Sequence, residues 1–233
     1  EDANEDGAIA ALLHLEGAEG ISPDLEDLDR LYDMGLRSLG PVWSRPNIFG
    51  HGVPFKFDQS PDTGPGLTDD GKRLIRRCTD MKLIVDLAHM NERGFWEIAE
   101  IYDGPLLSTH SGVHALCPST RNLTAKQLEA IAEREGVVGL NYHSAFLRSD
   151  GRANSDVPLE TLLRHLDALL SVLGEDGVTL GSDFDGALMP QTLKDASMLP
   201  ALVAEMARVD YGDDLIEKIC WSNWIGMIRR VVG

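Results

Sequence analysis

Along the chain, short apolar runs rich in Val, Leu and Ile end in a polar or metal-binding residue and give way to amphipathic stretches, again and again. Six runs stand out: Ala11 to Glu16, Ser38 to Ser44, Leu83 to His89, Pro105 to His110, Val137 to Tyr142 and Val178 to Asp183. Near-continuous apolar character, without alternation, is the pattern of parallel strands covered on both faces. The stretches between them carry helical periodicity with readable ends. Asp24 to Met34 places Leu25, Leu28, Leu31 and Tyr32 at helical spacing and stops at Gly35. Thr68, followed by Asp69 and Asp70, is an N-cap with an acidic first turn, and Thr124 with Gln127 has the spacing of a capping box. Pro158 to Leu173 puts a broad leucine face on one side and ends at Gly174, and two more helices are expected near Met198 to Ala207 and Asp214 to Val231. The segment from Arg45 to Leu67, crowded with Pro and Gly, reads as a surface loop over a site.

Strand and helix alternate throughout and no linker interrupts them, which predicts one α/β domain over residues 1–233 with a parallel sheet. Two layouts compete, a doubly wound open sheet and a (β/α)8 TIM-type barrel. No G-x-G-x-x-G or G-x-x-x-x-G-K-S/T follows the first run, which removes the main nucleotide-binding signals of the open sheet. Glu16, His89, His110 and Asp183 each fall at the C-terminal end of a separate run, where barrel enzymes carry their chemistry. The barrel is the expected fold. Six strands in place of eight further predict that the first two lie upstream of this chain.

Composition narrows the partners. The formal net charge of -17 repels phosphate backbones and anionic membrane surfaces, so no nucleic acid is expected. No apolar stretch approaches the roughly 20 residues of a membrane-spanning helix, and the opening Glu1 to Asp6 is unlike a secretory signal. Three dispersed cysteines form neither a disulfide framework nor a zinc motif, which favours a reducing, cytoplasmic setting.

One glutamate and two histidines converging from separate strands would suit a zinc-like cation. His14, His51, His114, His143 and His165 are expected in packing or surface roles. In Gly181-Ser182-Asp183-Phe184-Asp185-Gly186, an extended backbone would turn Asp183 and Asp185 to the same side, and an acid beside a metal can exchange protons with its water or a leaving amine. The alternative for that segment is an Asp-rich turn. Arg121, in the loop after His110, offers a two-pronged grip on a carboxylate.

These motifs together resemble the membrane (renal) dipeptidase family, peptidase family M19. The matching pieces are His14-Leu15-Glu16-Gly17-Ala18-Glu19, Gly66-Leu67-Thr68 with Gly71, Val85-Asp86-Leu87-Ala88-His89, Ser108-Thr109-His110-Ser111 with Arg121-Asn122, and the segment from Gly181 to Gly186. Their order fits, as do the separations of 73 positions from Glu16 to His89 and 21 from His89 to His110. The resemblance implies a barrel hydrolase with two zinc ions that splits dipeptides, including those with a C-terminal D-residue, through a metal-bridging hydroxide. It implies that Glu16 bridges the zincs, that His89 and His110 bind one of them, that Asp183 transfers the proton and that Arg121 holds the substrate carboxylate. The expected partners are a small dipeptide and a second copy of the chain.

Three departures accompany the resemblance. The family's H-x-D metal motif would precede this chain, Trp43 stands where well-studied members carry a substrate-facing His, and Phe146 replaces a substrate-contacting Tyr. Two further functions fit the same residues: a metal-dependent barrel hydrolase of another small amide or ester, and a catalytically silent binding relative.

Overall fold

The computed structural model describes residues 9–233, so the charged opening Glu1 to Asp6 lies outside the described residues. Each of the six apolar runs overlaps a strand: β1 (Leu13–Glu16), β2 (Leu36–Gly40), β3 (Ile84–Val85), β4 (Leu107–Ser111), β5 (Val137–Leu140) and β6 (Val178–Leu180). They pair in parallel as two three-stranded sheets, β1-β2-β3 and β4-β5-β6. A parallel bridge from Asp86 to Leu107 joins the two in chain order. Among the described residues β1 and β6 each pair on one side only. Leu13 on β1 is accordingly exposed, while all four residues of β5 are buried, as a strand covered on both faces requires.

The helices are α1 (Glu26–Asp33), α2 (Asp69–Asp80), α3 (Glu92–Ile101), α4 (Ala125–Glu133), the short α5 (Ser144–Leu147), α6 (Leu159–Leu173), α7 (Leu199–Arg208), α8 (Asp213–Glu217) and α9 (Asn223–Val232), of which α3 and α5 add to those expected from the sequence. Thr68 caps α2 by accepting from Gly71 N, and Thr124 with Gln127 makes both halves of a capping box on α4. Leu128 and Ile131 of α4 and Leu162, Leu166 and Leu169 of α6 share one buried cluster with Val138 and Val178, so the leucine face of α6 is the outer cover of β5 and β6. Ile84, Leu107 and Val137, the first residues of β3, β4 and β5, meet Met227 and Val231 of α9 in a second cluster. That helix closes the N-terminal ends of the strands and leaves their C-terminal ends to the loops.

Several boundaries differ from the sequence reading. The helix expected from Asp214 to Val231 runs on through a π-helical turn, Lys218–Ser222, which joins α8 to α9. The third run keeps regular pairing only over Ile84–Val85, and His89 turns the chain at φ 65°. Asp183 and Asp185 are left-handed, at φ 61° and 65°, so the segment after β6 is the Asp-rich turn and the two acids do not share an extended face. The Pro- and Gly-rich stretch is not a plain surface loop either. Bridges Pro46–His51, Gly50–Leu67, Gly52–Met90 and Phe57–Ser119 sew it down, and Phe49 and Val53 are buried. A Cβ on Gly52 would lie 1.7 Å from the Trp43 carbonyl oxygen, so only glycine allows that approach.

Candidate metal centre

Glu16 is the last residue of β1, His110 the fourth of β4, and His89 follows β3 by four positions, so three separate strands deliver them to one rim. His89 Nε2 lies 3.0 Å from Glu16 Oε1 and 3.0 Å from His110 Nε2, and His110 Nε2 lies 3.2 Å from Glu16 Oε1. Three potential ligand atoms thus form a nearly equilateral triangle. Ligands about 2.0–2.1 Å from a tetrahedral zinc stand about 3.3 Å apart, so the triangle has the edge length that such a cation sets. Contacts with the His110 and His89 imidazoles hold the Glu16 carboxyl far below the usual carboxylate range, against its partial desolvation. Burial, followed by the charge of Arg121, pushes His89 down to about 3. Near neutral pH the pair therefore offers one carboxylate and one uncharged imidazole, the protonation states that a divalent metal needs.

Both imidazoles are held from behind. His89 Nδ1 meets Ser44 Oγ at 2.7 Å, and its backbone oxygen accepts from Val53 N at 2.7 Å, so the sewn-down loop fixes its left-handed turn. His110 Nδ1 meets Thr109 Oγ1 at 2.7 Å. Adjacent strand residues normally face opposite ways, but β4 changes register against β5 between Ser108 and Ser111, and the irregularity brings both side chains together. Thr109 Oγ1 donates to Asp86 Oδ2 at 2.5 Å, while Asp86 Oδ1 accepts from Ala88 N at 3.0 Å and Thr109 N at 2.9 Å. Burial alone would push the Asp86 carboxyl up, yet His14, His110 and the two bonds from Thr109 outweigh it and hold it low.

Arg121 is buried beneath the same rim. Its Nη2 donates to His110 O at 3.3 Å, its guanidinium lies 5.4 Å from the Phe146 ring centroid, and its Nε has no partner among the described residues. Burial lowers its pKa to about 10, against Asp183, Asp86 and Glu16, which raise it, so it stays charged at neutral pH. Asp183 stands apart from the Glu16–His89–His110 group, with Oδ2 accepting from Asn141 Nδ2 at 3.1 Å. Trp43 lies against His89, ring centroids 5.5 Å apart. Phe55, which no sequence pattern singles out, stands edge-on to Trp43 at 5.4 Å and lies 5.7 Å from Phe146, completing an aromatic wall beside the triangle.

Of the remaining histidines, His165 is buried and fully bonded, accepting from Val113 N and facing Leu147 O, and His114 and His51 meet backbone carbonyls of Gln59 and Gly66. His14 packs inward, with Nδ1 2.9 Å from Ser38 Oγ and Nε2 3.7 Å from Asp86 Oδ2. His143 stands edge-on to Phe146, with ring centroids 4.5 Å apart.

The membrane dipeptidase (peptidase family M19) profile matches residues 1–232. The chain belongs to that family. A metallopeptidase from Rhodobacter sphaeroides, solved with a phosphinate mimic of the dipeptide L-Ala-D-Ala, superposes with a TM-score of 0.97 at 51% identity, covering 99% of this chain and 66% of that one. A dipeptidase of family M19 superposes equally well, with a TM-score of 0.97, 51% identity and coverage of 99% and 68%. An uncharacterized protein from the pqqA 5' region of Klebsiella pneumoniae is 46% identical over 231 residues, which are 99% of this chain and 85% of the relative. This member of the dipeptidase family therefore spans about two thirds of the solved relatives it matches. No helix among its described residues is long and apolar enough to cross a membrane.

Proposed function

We propose that the chain carries the metal and substrate site of a zinc-dependent dipeptidase, built on six strands of a (β/α)8 barrel. The observation that carries the reading is the triangle of Glu16, His89 and His110, with edges of 3.0, 3.0 and 3.2 Å at the C-terminal rim of three parallel strands. Zinc bound there supplies a Lewis acid for the scissile carbonyl and lowers the pKa of its water. The chain's own residues do the rest. Arg121, charged and with an unpartnered Nε, grips the dipeptide carboxylate and sets which bond meets the triangle. Asp183, its carboxylate oriented by Asn141, takes a proton from the attacking water and passes it to the departing amine. Trp43, Phe55 and Phe146 shield one flank from water and face the substrate's side chains. The mimic bound to the Rhodobacter relative supports a C-terminal D-residue among the substrates.

The test is hydrolysis of L-Ala-D-Ala and a panel of L,L- and L,D-dipeptides by the full chain, before and after chelation and with zinc added back. Turnover that chelator removes and zinc restores is the expected result. Turnover that survives chelation, or none on any dipeptide by zinc-loaded protein, overturns the reading.

A further inference from the structure

Behind the triangle lies a row of polar side chains that the proposed reaction does not itself use, from exposed His14 through buried Asp86 and part-buried Thr109 to buried His110. Its hydrogens can be counted. Asp86 Oδ1 is occupied by two backbone N–H donors, from Ala88 and Thr109, which cannot reverse. Asp86 Oδ2 takes the hydroxyl of Thr109. A hydroxyl has one hydrogen, so toward His110 Nδ1 the Thr109 oxygen is an acceptor. Nδ1 must then carry the proton, and in a neutral imidazole the other nitrogen holds the lone pair. That nitrogen, Nε2, is the one at 3.0 Å from His89 Nε2 and 3.2 Å from Glu16 Oε1.

We propose that Asp86 and Thr109 are positioning residues that fix the tautomer of His110, with the proton on Nδ1 and the Nε2 lone pair aimed into the metal site. The proposal rests on the zinc reading above only for its consequence, metal affinity. The tautomer itself follows from the bonds. His89 is the contrast: among the described residues no carboxylate takes the proton of Ser44, the partner of its Nδ1, so that hydroxyl can serve as donor or acceptor. One ligand is therefore set in advance and the other adapts.

Asp86→Asn is the diagnostic change because it keeps the shape and reverses the row. The amide oxygen stays on the two backbone N–H groups, the amide nitrogen takes the Oδ2 position and donates to Thr109, and the Thr109 hydroxyl turns to donate to Nδ1. The proton of His110 then moves to Nε2, where it blocks the metal. In metal-free full chain labelled with 15N-histidine, long-range proton–nitrogen spectra should show the Nδ1–H form of His110 in the wild type and the Nε2–H form in Asp86→Asn. Zinc affinity, measured by competition with a chromophoric chelator, should fall about 10- to 100-fold, the usual effect of losing an outer partner of a metal-bound histidine. Thr109→Ser should keep wild-type tautomer and affinity, and Thr109→Val should lose about 10-fold in affinity. An Nε2–H form in the wild type, or folded Asp86→Asn with unchanged tautomer, overturns the proposal. Should Asp86→Asn not fold, equal zinc affinities for Thr109→Ser and Thr109→Val overturn it instead. Tautomers as stated in a chain that binds no zinc support the proposal and overturn the metal reading.

Discussion

Asn122 offers a sharp test of how the Arg121 side of the candidate centre is held. Its side chain is 2% exposed and makes three bonds to backbone. Oδ1 accepts from Gly112 N at 2.9 Å, and Nδ2 donates to Cys117 O at 2.9 Å and to Phe146 O at 2.8 Å. Asn122→Ala removes all three. Cys117 O keeps Ser119 N at 2.7 Å, but Gly112 N–H and Phe146 C=O are left without a hydrogen-bond partner among the described residues. Each orphaned buried group costs about 1–3 kcal/mol, so the change should destabilise by about 2–6 kcal/mol. With an m-value of about 3 kcal/mol/M, the urea midpoint should drop by about 1–2 M with an unchanged slope. Asn122→Asp should not rescue it. The new carboxylate still accepts from Gly112 but sets an anion against two carbonyl oxygens. A midpoint shift below about 0.3 M for the alanine variant, a cost of about 1 kcal/mol, would show that water satisfies these groups and that Asn122 is not the brace of the Arg121 loop.

Three other outcomes follow from the same geometry. Arg121→Lys replaces a planar fork with a point charge, so KM for dipeptides should rise about 10- to 100-fold while C-terminally amidated dipeptides are cleaved no worse than by the wild type; parallel losses on both substrates would remove the clamp role. Phe55→Ala opens the exposed end of the aromatic wall, and should lower kcat/KM for dipeptides with large apolar side chains by about 10-fold relative to glycine-containing ones, whereas an unchanged ratio would place the ring outside the substrate's reach. Burial depresses His165 to about 4, below its unfolded value near 6.5, so the unfolded chain takes up the proton first and stability falls as pH drops from about 6.5 to about 4, by about 3 kcal/mol in total. Urea titrations of His165→Gln should show a flatter pH dependence than the wild type over that window, and identical slopes would refute the assignment.

Strand positions were legible because burial on both faces leaves no room for polar alternation, as the four buried residues of β5 illustrate. Strand ends were not. Apolar character continues past Val85 through Leu87 and Ala88, yet ladder pairing has given way to a single bridge at Asp86 and then to the left-handed His89. Composition misled at the long Pro- and Gly-rich stretch for a related reason. Glycine there marks close approach as well as exposure: Gly52 lies against the Trp43 carbonyl, and a Cβ on Gly66 would sit 2.8 Å from Gly94 N. The loop is buried where its glycines let backbone meet backbone, and Phe55 reaches the rim because that loop is pinned at Gly52 and at Phe57.

The same distinction separates the two layers of the candidate centre. Glu16, His89 and His110 could be picked out because each ends or follows its own apolar run, a position that depends only on chain order and on parallel strands. Thr109 could not, since period-2 geometry turns it away from its neighbour His110, and only the register irregularity of β4 reverses that. Asp86 was visible as a residue of a motif but not as a partner, because its contacts to Thr109 span 23 positions and its burial was disguised by the apolar residues around it. A buried carboxylate in an apolar run is costly unless every lone pair is answered, and here the answering donors come from the strand that presents His110. The motif Val85-Asp86-Leu87-Ala88-His89 therefore holds two statements at once: its histidine faces the site directly, and its aspartate reaches the site through the next strand.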